Sequence, residues 1–119
     1  MNKLINTFKL LSDETRLRIL VLLYQEELCV CEISGILSVP QPRVSQHLSK
    51  LRDMHIVQDE RKEKFVYYSL IKENVILMEL LKNVVDDIDS YTKLLADRSG
   101  LKDKDIYLSQ CSKCNPGER

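Results

Sequence analysis

The chain has 119 residues, of which 44% are hydrophobic and 30% charged. That is the size and composition of one folded domain, and no apolar run is long enough to span a bilayer, so a disordered chain and a helical membrane protein are both excluded. Eighteen Lys/Arg balance eighteen Asp/Glu, which excludes a nucleic-acid binder that works by overall charge alone.

The opening residues Met1-Asn2-Lys3-Leu4-Ile5-Asn6 have neither the apolar core nor the small-residue cleavage site of a secretory leader, so a cytoplasmic protein with no membrane partner is expected. Thiols stay reduced in that compartment. The four cysteines, Cys29, Cys31, Cys111 and Cys114, therefore read as ligands or redox groups rather than as a disulfide framework.

In chain order, Leu4, Ile5, Phe8 and Leu11 are spaced for one face of a short helix over residues 2–11. Ser12 is the expected N-cap of the next helix, and Asp13 and Glu14 put negative charge in its first turn. Leu17, Leu20, Val21 and Tyr24 are its apolar positions, and Glu26-Glu27 closes it. Residues 30–37 predict a short helix with Ile33, Ile36 and Leu37 inward, stopped by Ser38-Val39-Pro40. Gln41 is a possible cap and Pro42 fits the first helical position of a following helix that runs to about His55, with Val44, Leu48 and Leu51 inward. Two helices joined by a tight turn predict a helix-turn-helix whose second helix reads DNA.

Residues 56–58 and 65–70 predict strands, the second rich in β-formers at Phe65-Val66-Tyr67-Tyr68. Tyr67 and Tyr68 alternate faces, so one of them belongs to the core. Residues 59–64 are all charged and form the tip of a wing, without the Gly or Asn of a tight hairpin. Residues 72–97 predict the longest helix. Leu77, Leu81, Val84, Ile88, Tyr91 and Leu95 form an a/d seam on it, widened by Ile76, Leu80, Val85 and Leu94. The seam either covers its own domain or forms a dimer interface, and its width favours the dimer. Residues 98–119 are expected to fade into a flexible polar tail carrying the pair Cys111-Ser112-Lys113-Cys114.

The fold expected is mainly α with a small β-hairpin: a winged helix-turn-helix over residues 1–97, dimerising through its terminal helices. On the reading helix, Gln41, Arg43, Ser45, Gln46, His47, Ser49 and Lys50 are candidate DNA contacts. Gln46 and Arg43 are the best base readers, because Gln pairs with adenine and Arg with guanine. Arg61, Lys62 and Lys64 on the wing would meet phosphates. His47 precedes a core leucine and is as well suited to a structural role. No nucleophile, base and orienting group gather anywhere, and both histidines, His47 and His55, fall in the reading region, so an enzyme is not expected.

Three stretches resemble the ArsR/SmtB family of metal-responsive repressors: residues 8–20, from Phe8-Lys9-Leu10-Leu11-Ser12-Asp13-Glu14-Thr15-Arg16; the Glu27-Leu28-Cys29-Val30-Cys31-Glu32-Ile33 run; and residues 41–52, followed by a wing ending in Val66-Tyr67-Tyr68-Ser69-Leu70. The cysteine run resembles the arsenite-sensing branch, and also the cadmium/lead-sensing one. The resemblance implies a homodimer that binds operator DNA without a cofactor and lets go when As(III) binds Cys29 and Cys31. Cd(II), Pb(II) or Zn(II) as inducer, and a redox or persulfide sensor, stay open. Two departures stand out. Ser34 sits where the arsenite branch often has a further cysteine, and the N-terminus lacks the cysteines of the cadmium/lead branch. Cys111 and Cys114 are candidates for the missing ligands. Soft ions favour thiolates. On a regular helix, residues two apart point about 200° from one another, so chelation by Cys29 and Cys31 is expected to unwind the first turn of their helix.

Overall fold

The computed structural model describes residues 1–110. The Cys111/Cys114 pair, and with it the end of the expected 98–119 tail, lies outside the described residues. Among the described residues no helix is long and apolar enough to cross a membrane.

Helix α1 spans Asn2–Leu11 and α2 spans Glu14–Gln25. The cap of α2 is Asp13 rather than Ser12: its carboxylate accepts from the Arg16 N–H at 2.9 Å, while the Ser12 hydroxyl turns back to the Lys9 carbonyl at 2.7 Å. Asp13 holds its charge in this role, its carboxyl lowered chiefly by the Arg16 N–H bond. Helix α2 is the centre of the core, with Ile19, Leu20, Val21, Leu22 and Leu23 all buried. The apolar face read on α1 points inward only in part: Leu11 packs half-buried against the core and Leu4 is half-buried, while Ile5 and Phe8 face out and the fully buried residues are Thr7 and Leu10.

A two-residue strand, β1 (Leu28–Cys29), leads directly into α3 (Val30–Leu37). Ser38, left-handed at φ 56° and ψ 44°, turns the chain toward α4 (Gln41–Asp53). Helix α4 starts one residue earlier than the sequence suggested, at Gln41. Strands β2 (Val57–Lys62) and β3 (Phe65–Leu70) follow, and the sheet order is β1-β3-β2, antiparallel throughout. The hairpin is longer than the sequence suggested, because charged residues 59–62 are themselves strand. Lys62 pairs with Phe65, and Glu63 closes the turn in the left-handed region at φ 59°. A non-glycine residue there costs about 1 kcal/mol, so the turn forms at a small cost without the Gly or Asn of a usual turn signal. Tyr68 is the core tyrosine and Tyr67 is half-buried.

The single long helix expected over 72–97 is instead two. Helix α5 spans Val75–Asp86, its start fixed by Asn74, whose side chain accepts from the Leu77 N–H at 3.1 Å. A 3₁₀ turn at Ile88–Ser90 separates it from α6 (Thr92–Gly100). Asp87 and Ser90 bond one another at 2.9 Å, a local side-chain alternative to the helical ladder. The break lets Ile88 bury and brings Leu94 and Asp97 back against the domain. There Asp97 meets Arg18 of α2 in a bidentate ion pair at 2.8 and 2.9 Å. The seam is divided accordingly: Leu77, Leu81, Ile88 and Leu94 pack within the protomer, while Tyr91 and Leu95 are exposed. Residues 98–109 do not fade into a tail. A second 3₁₀ turn, Leu101–Asp103, leads into α7 (Lys104–Ser109), which packs on α3.

Candidate thiol site and nucleic-acid interface

Both cysteines of the central run are buried, Cys29 at 0% and Cys31 at 4% exposure. They do not share a helix, as the sequence reading assumed. Cys29 stands just outside α3 as its extended N-cap, at φ −92° and ψ 170°, and Cys31 lies within the first turn. Glu32 completes a capping box with Cys29, its carboxylate accepting from the Cys29 N–H at 3.0 Å. Burial pushes the Glu32 carboxyl up, with the Cys29 N–H and the nearby Lys104 ammonium pulling the other way. The sulfur of Cys29 is thus part of the device that starts α3. A ligand that takes this sulfur removes a cap.

Two contacts tie the pair to the elements predicted to meet DNA. Gln41, the first residue of α4, donates from Nε2 to the Cys31 sulfur at 3.1 Å. Cys29 pairs with Tyr67 on β3, the strand that continues into the wing. Cys31 is disulfide-bonded in this structure. A cavity of about 180 Å³ opens beside it, lined by Cys31, Ser34, Gly35, Gln41, Tyr107 and Gln110. Among the described residues no three His, Cys, Asp or Glu side chains gather as a metal site.

On α4, Val44, Leu48 and Leu51 are fully buried as expected. Arg43, Ser45, Gln46, Ser49 and Lys50 are exposed on the opposite side, forming one polar face. Gln41 and His47 are half-buried. Gln41 is engaged with Cys31 rather than open to solvent. His47 lies near Asp13, the cap of α2, and Arg16 in its first turn, and burial holds its pKa down against the attraction of Asp13. On the wing, Arg61, Lys62 and Lys64 are exposed. Lys62 is held by ion pairs with Glu27 and Glu60 and lies over the Tyr67 ring. Lys64 lies over Phe65.

Sequence reasoning missed Glu32 and the α7 contact. The first had a signal: a thiol followed three residues later by Glu has capping-box spacing. The second had a weaker one, Gly35 in mid-helix. A Cβ on Gly35 would overlap the Tyr107 ring, so glycine there admits the close approach of α7.

Residues 13–59 match the family model described as "Bacterial regulatory protein, arsR family". The chain is 46% identical over 81 residues to the arsenic resistance transcriptional regulator ArsR1 of Pseudomonas putida, a match covering 66% of this chain and 63% of that one. It therefore spans somewhat under two thirds of that relative's length. It is 37% identical over 83 residues to the cadmium resistance transcriptional regulatory protein CadC of Listeria innocua, covering 68% and 70% of the two chains. Among solved structures, HlyU from Vibrio cholerae superposes with a TM-score of 0.63 at 30% identity, covering 70% of this chain and 88% of that one.

Proposed function

Because the chain belongs to the arsR family of bacterial regulatory proteins, we propose that it is a cytoplasmic repressor of a metalloid-resistance operon, bound to operator DNA as a homodimer and released when As(III) ligates Cys29 and Cys31. The exposed face of α4 enters the major groove, with Arg43 and Gln46 on base edges and Ser45, Ser49 and Lys50 on phosphates. Arg61, Lys62 and Lys64 of the wing add phosphate contacts. Lys62 must exchange its ion pairs with Glu27 and Glu60 for DNA, which reduces its share. DNA binding needs no cofactor.

Dimerisation is supported by apolar side chains left uncovered on α1 and at the start of α5. Phe8 is 53% exposed, Val75 69% and Ile76 47%, a surface that a second copy would cover. A two-fold dimer places its reading helices about 34 Å apart, in successive major grooves of an imperfect palindrome.

The observation that carries the proposal is the Gln41–Cys31 hydrogen bond. It joins the thiol site to the first residue of the reading helix, so a ligand that takes this sulfur breaks a contact that holds α4. Loss of the Cys29 cap adds to the effect at the other end of the turn. The ligand thereby favours a state that fits DNA less well.

The test is fluorescence anisotropy of the reduced, metal-free protein on the DNA upstream of its gene, titrated with arsenite and with cadmium. Release at near-stoichiometric arsenite, absent in Cys29→Ser/Cys31→Ser, is the expected result. Release by cadmium alone moves the protein to a divalent-ion inducer. No binding to that DNA at all defeats the repressor reading. The disulfide at Cys31 favours one second reading, a thiol-redox repressor. It predicts release by oxidant without any ion, reversed by a dithiol.

A further inference from the structure

Building on the reading of Cys31 as a ligand for the inducer, we propose that α7 is a lid over the thiol turn, latched by Tyr107 against Gly35, and that a ligand reaches Cys31 only when this lid lifts.

The latch follows from spacing on α3. Cys31 and Gly35 are four residues apart on that helix, so they lie one above the other on the same face. Whatever seats on Gly35 therefore overhangs Cys31. The Tyr107 ring takes that seat, so close that a Cβ on Gly35 would overlap it. Glycine weakens a mid-helix position relative to alanine; here it makes the room that the ring fills. Tyr107 and Gln110, at the far end of α7, then wall the cavity of about 180 Å³ beside the sulfur. Under this cover Cys31 is almost wholly buried.

The lid is thinly held. Helix α7 has six residues and none of them is fully buried, whereas five of the eight residues of α3 are. Besides the ring, Lys104 Nζ reaches Glu26 at the end of α2 at 2.9 Å in a half-exposed ion pair, and Leu108 packs partly buried against the core. Lys104 and Leu108 also border a cavity of about 440 Å³ shared with Lys62, Phe65 and Tyr67 of the wing strands. On that side α7 is backed by space rather than by packed side chains. None of these contacts involves a sulfur, so the lid closes over the reduced thiol as well. Segments with few buried contacts open locally at far less cost than the whole fold, and α7 has that character while α3 beneath it does not. Gly35 and Tyr107 are thus positioning residues: they act on the thiol by setting how often it is uncovered.

The test follows alkylation of the reduced, full-length protein by iodoacetamide, with modification at Cys31 located by fragment mass spectrometry and the rate of arsenite association measured in parallel. In wild type Cys31 is expected to react far more slowly than in the urea-unfolded chain. Gly35→Ala, which favours the helix but drives the ring off its seat, and Tyr107→Ala, which removes the ring, are expected to speed alkylation by roughly 10-fold or more. Lys104→Gln should speed it by no more than about 5-fold, and Tyr107→Phe should leave it unchanged. Hydrogen exchange in the same variants should rise at residues 104–109 while α2 stays protected, which separates a lifted lid from a loosened fold. Arsenite association should quicken in the same order. Equal alkylation rates in wild type, Gly35→Ala and Tyr107→Ala, or acceleration that comes only with loss of protection in α2, would overturn the lid whatever arsenite does. Alkylation in the expected order with no arsenite uptake by any variant would keep the lid and defeat the reading of Cys31 as a ligand.

Discussion

α3 and α4 are successive helices joined by a three-residue turn, yet they are built to opposite specifications. Five of the eight residues of α3 are buried, including a thiol and a carboxylate, whereas α4 buries only Val44, Leu48 and Leu51 of thirteen. Helix α4 is a surface helix with a narrow apolar stripe and a free polar face, suited to meeting another molecule without rearrangement. Helix α3 is held on nearly every side: by β1 at its start, α7 along its length and Arg18 at its last carbonyl, where Nη2 reaches the Leu37 oxygen at 3.3 Å. On the proposed function, recognition and sensing are thus divided between the two helices. Cys29 and Cys31 are 0% and 4% exposed, so a ligand of the proposed kind would reach them only by disturbing the core, and α4 would register that disturbance.

The comparison can be broken most forcefully from the inner side of α4. Leu48→Ala removes a fully buried side chain and is expected to lower unfolding free energy by about 2–5 kcal/mol, read from urea denaturation. A loss under about 1 kcal/mol would mean that α4 is not seated on the core as described. Next is Asp97→Ala. Arg18 and Asp97 are 12% and 4% exposed, and removing one partner strands a largely buried guanidinium that also braces the end of α3, a cost of about 3 kcal/mol. The same urea titration measures it, and Asp97→Asn should recover part of the loss.

Smaller, and on the other side of the comparison, Arg43→Ala should leave stability within about 0.5 kcal/mol while weakening operator binding by about 1–3 kcal/mol. Equal losses in folding and DNA affinity would contradict the division of labour. The smallest effect is His47. Burial holds its folded pKa below the unfolded value of about 6.5, helped by Arg16, Arg43 and Lys50 and opposed by Asp13. The folded state therefore binds the proton less readily, so stability falls as pH drops from above 6.5 through the lower folded value. Melting temperatures between pH 7.5 and 5.5 should decline less in His47→Gln than in wild type. Parallel declines would place His47 in open solvent.

The helix-turn-helix and wing were legible because periodicity, caps and stops agreed: Val44, Leu48 and Leu51 at helical spacing, Pro42 in the first turn, and a β-rich run at Phe65-Val66-Tyr67-Tyr68. Beyond residue 72 the reading failed where tertiary contacts decide. Nothing local in Asp86-Asp87-Ile88 overrides an unbroken apolar period. The break is set by the Asp87–Ser90 bond and by the gain from docking Leu94 and Asp97 on α2. Strand β1 was invisible because two residues carry no period, and its pairing depends on β3, some forty residues on. The thiol pair was found from its residues, but its geometry was not. A cysteine used as an N-cap reads the same as one inside the helix until the strand before it is seen.

The most direct test of the central claim is hydrogen exchange in reduced protein with and without stoichiometric arsenite, followed peptide by peptide across residues 28–53. The account predicts that arsenite deprotects the first turn of α3 and the start of α4 while the amides of α2 stay protected, and that Cys29→Ser/Cys31→Ser abolishes the change. Arsenite bound with protection of residues 28–53 unaltered would contradict it, since the thiols would then be a site with no connection to the helix proposed to read DNA.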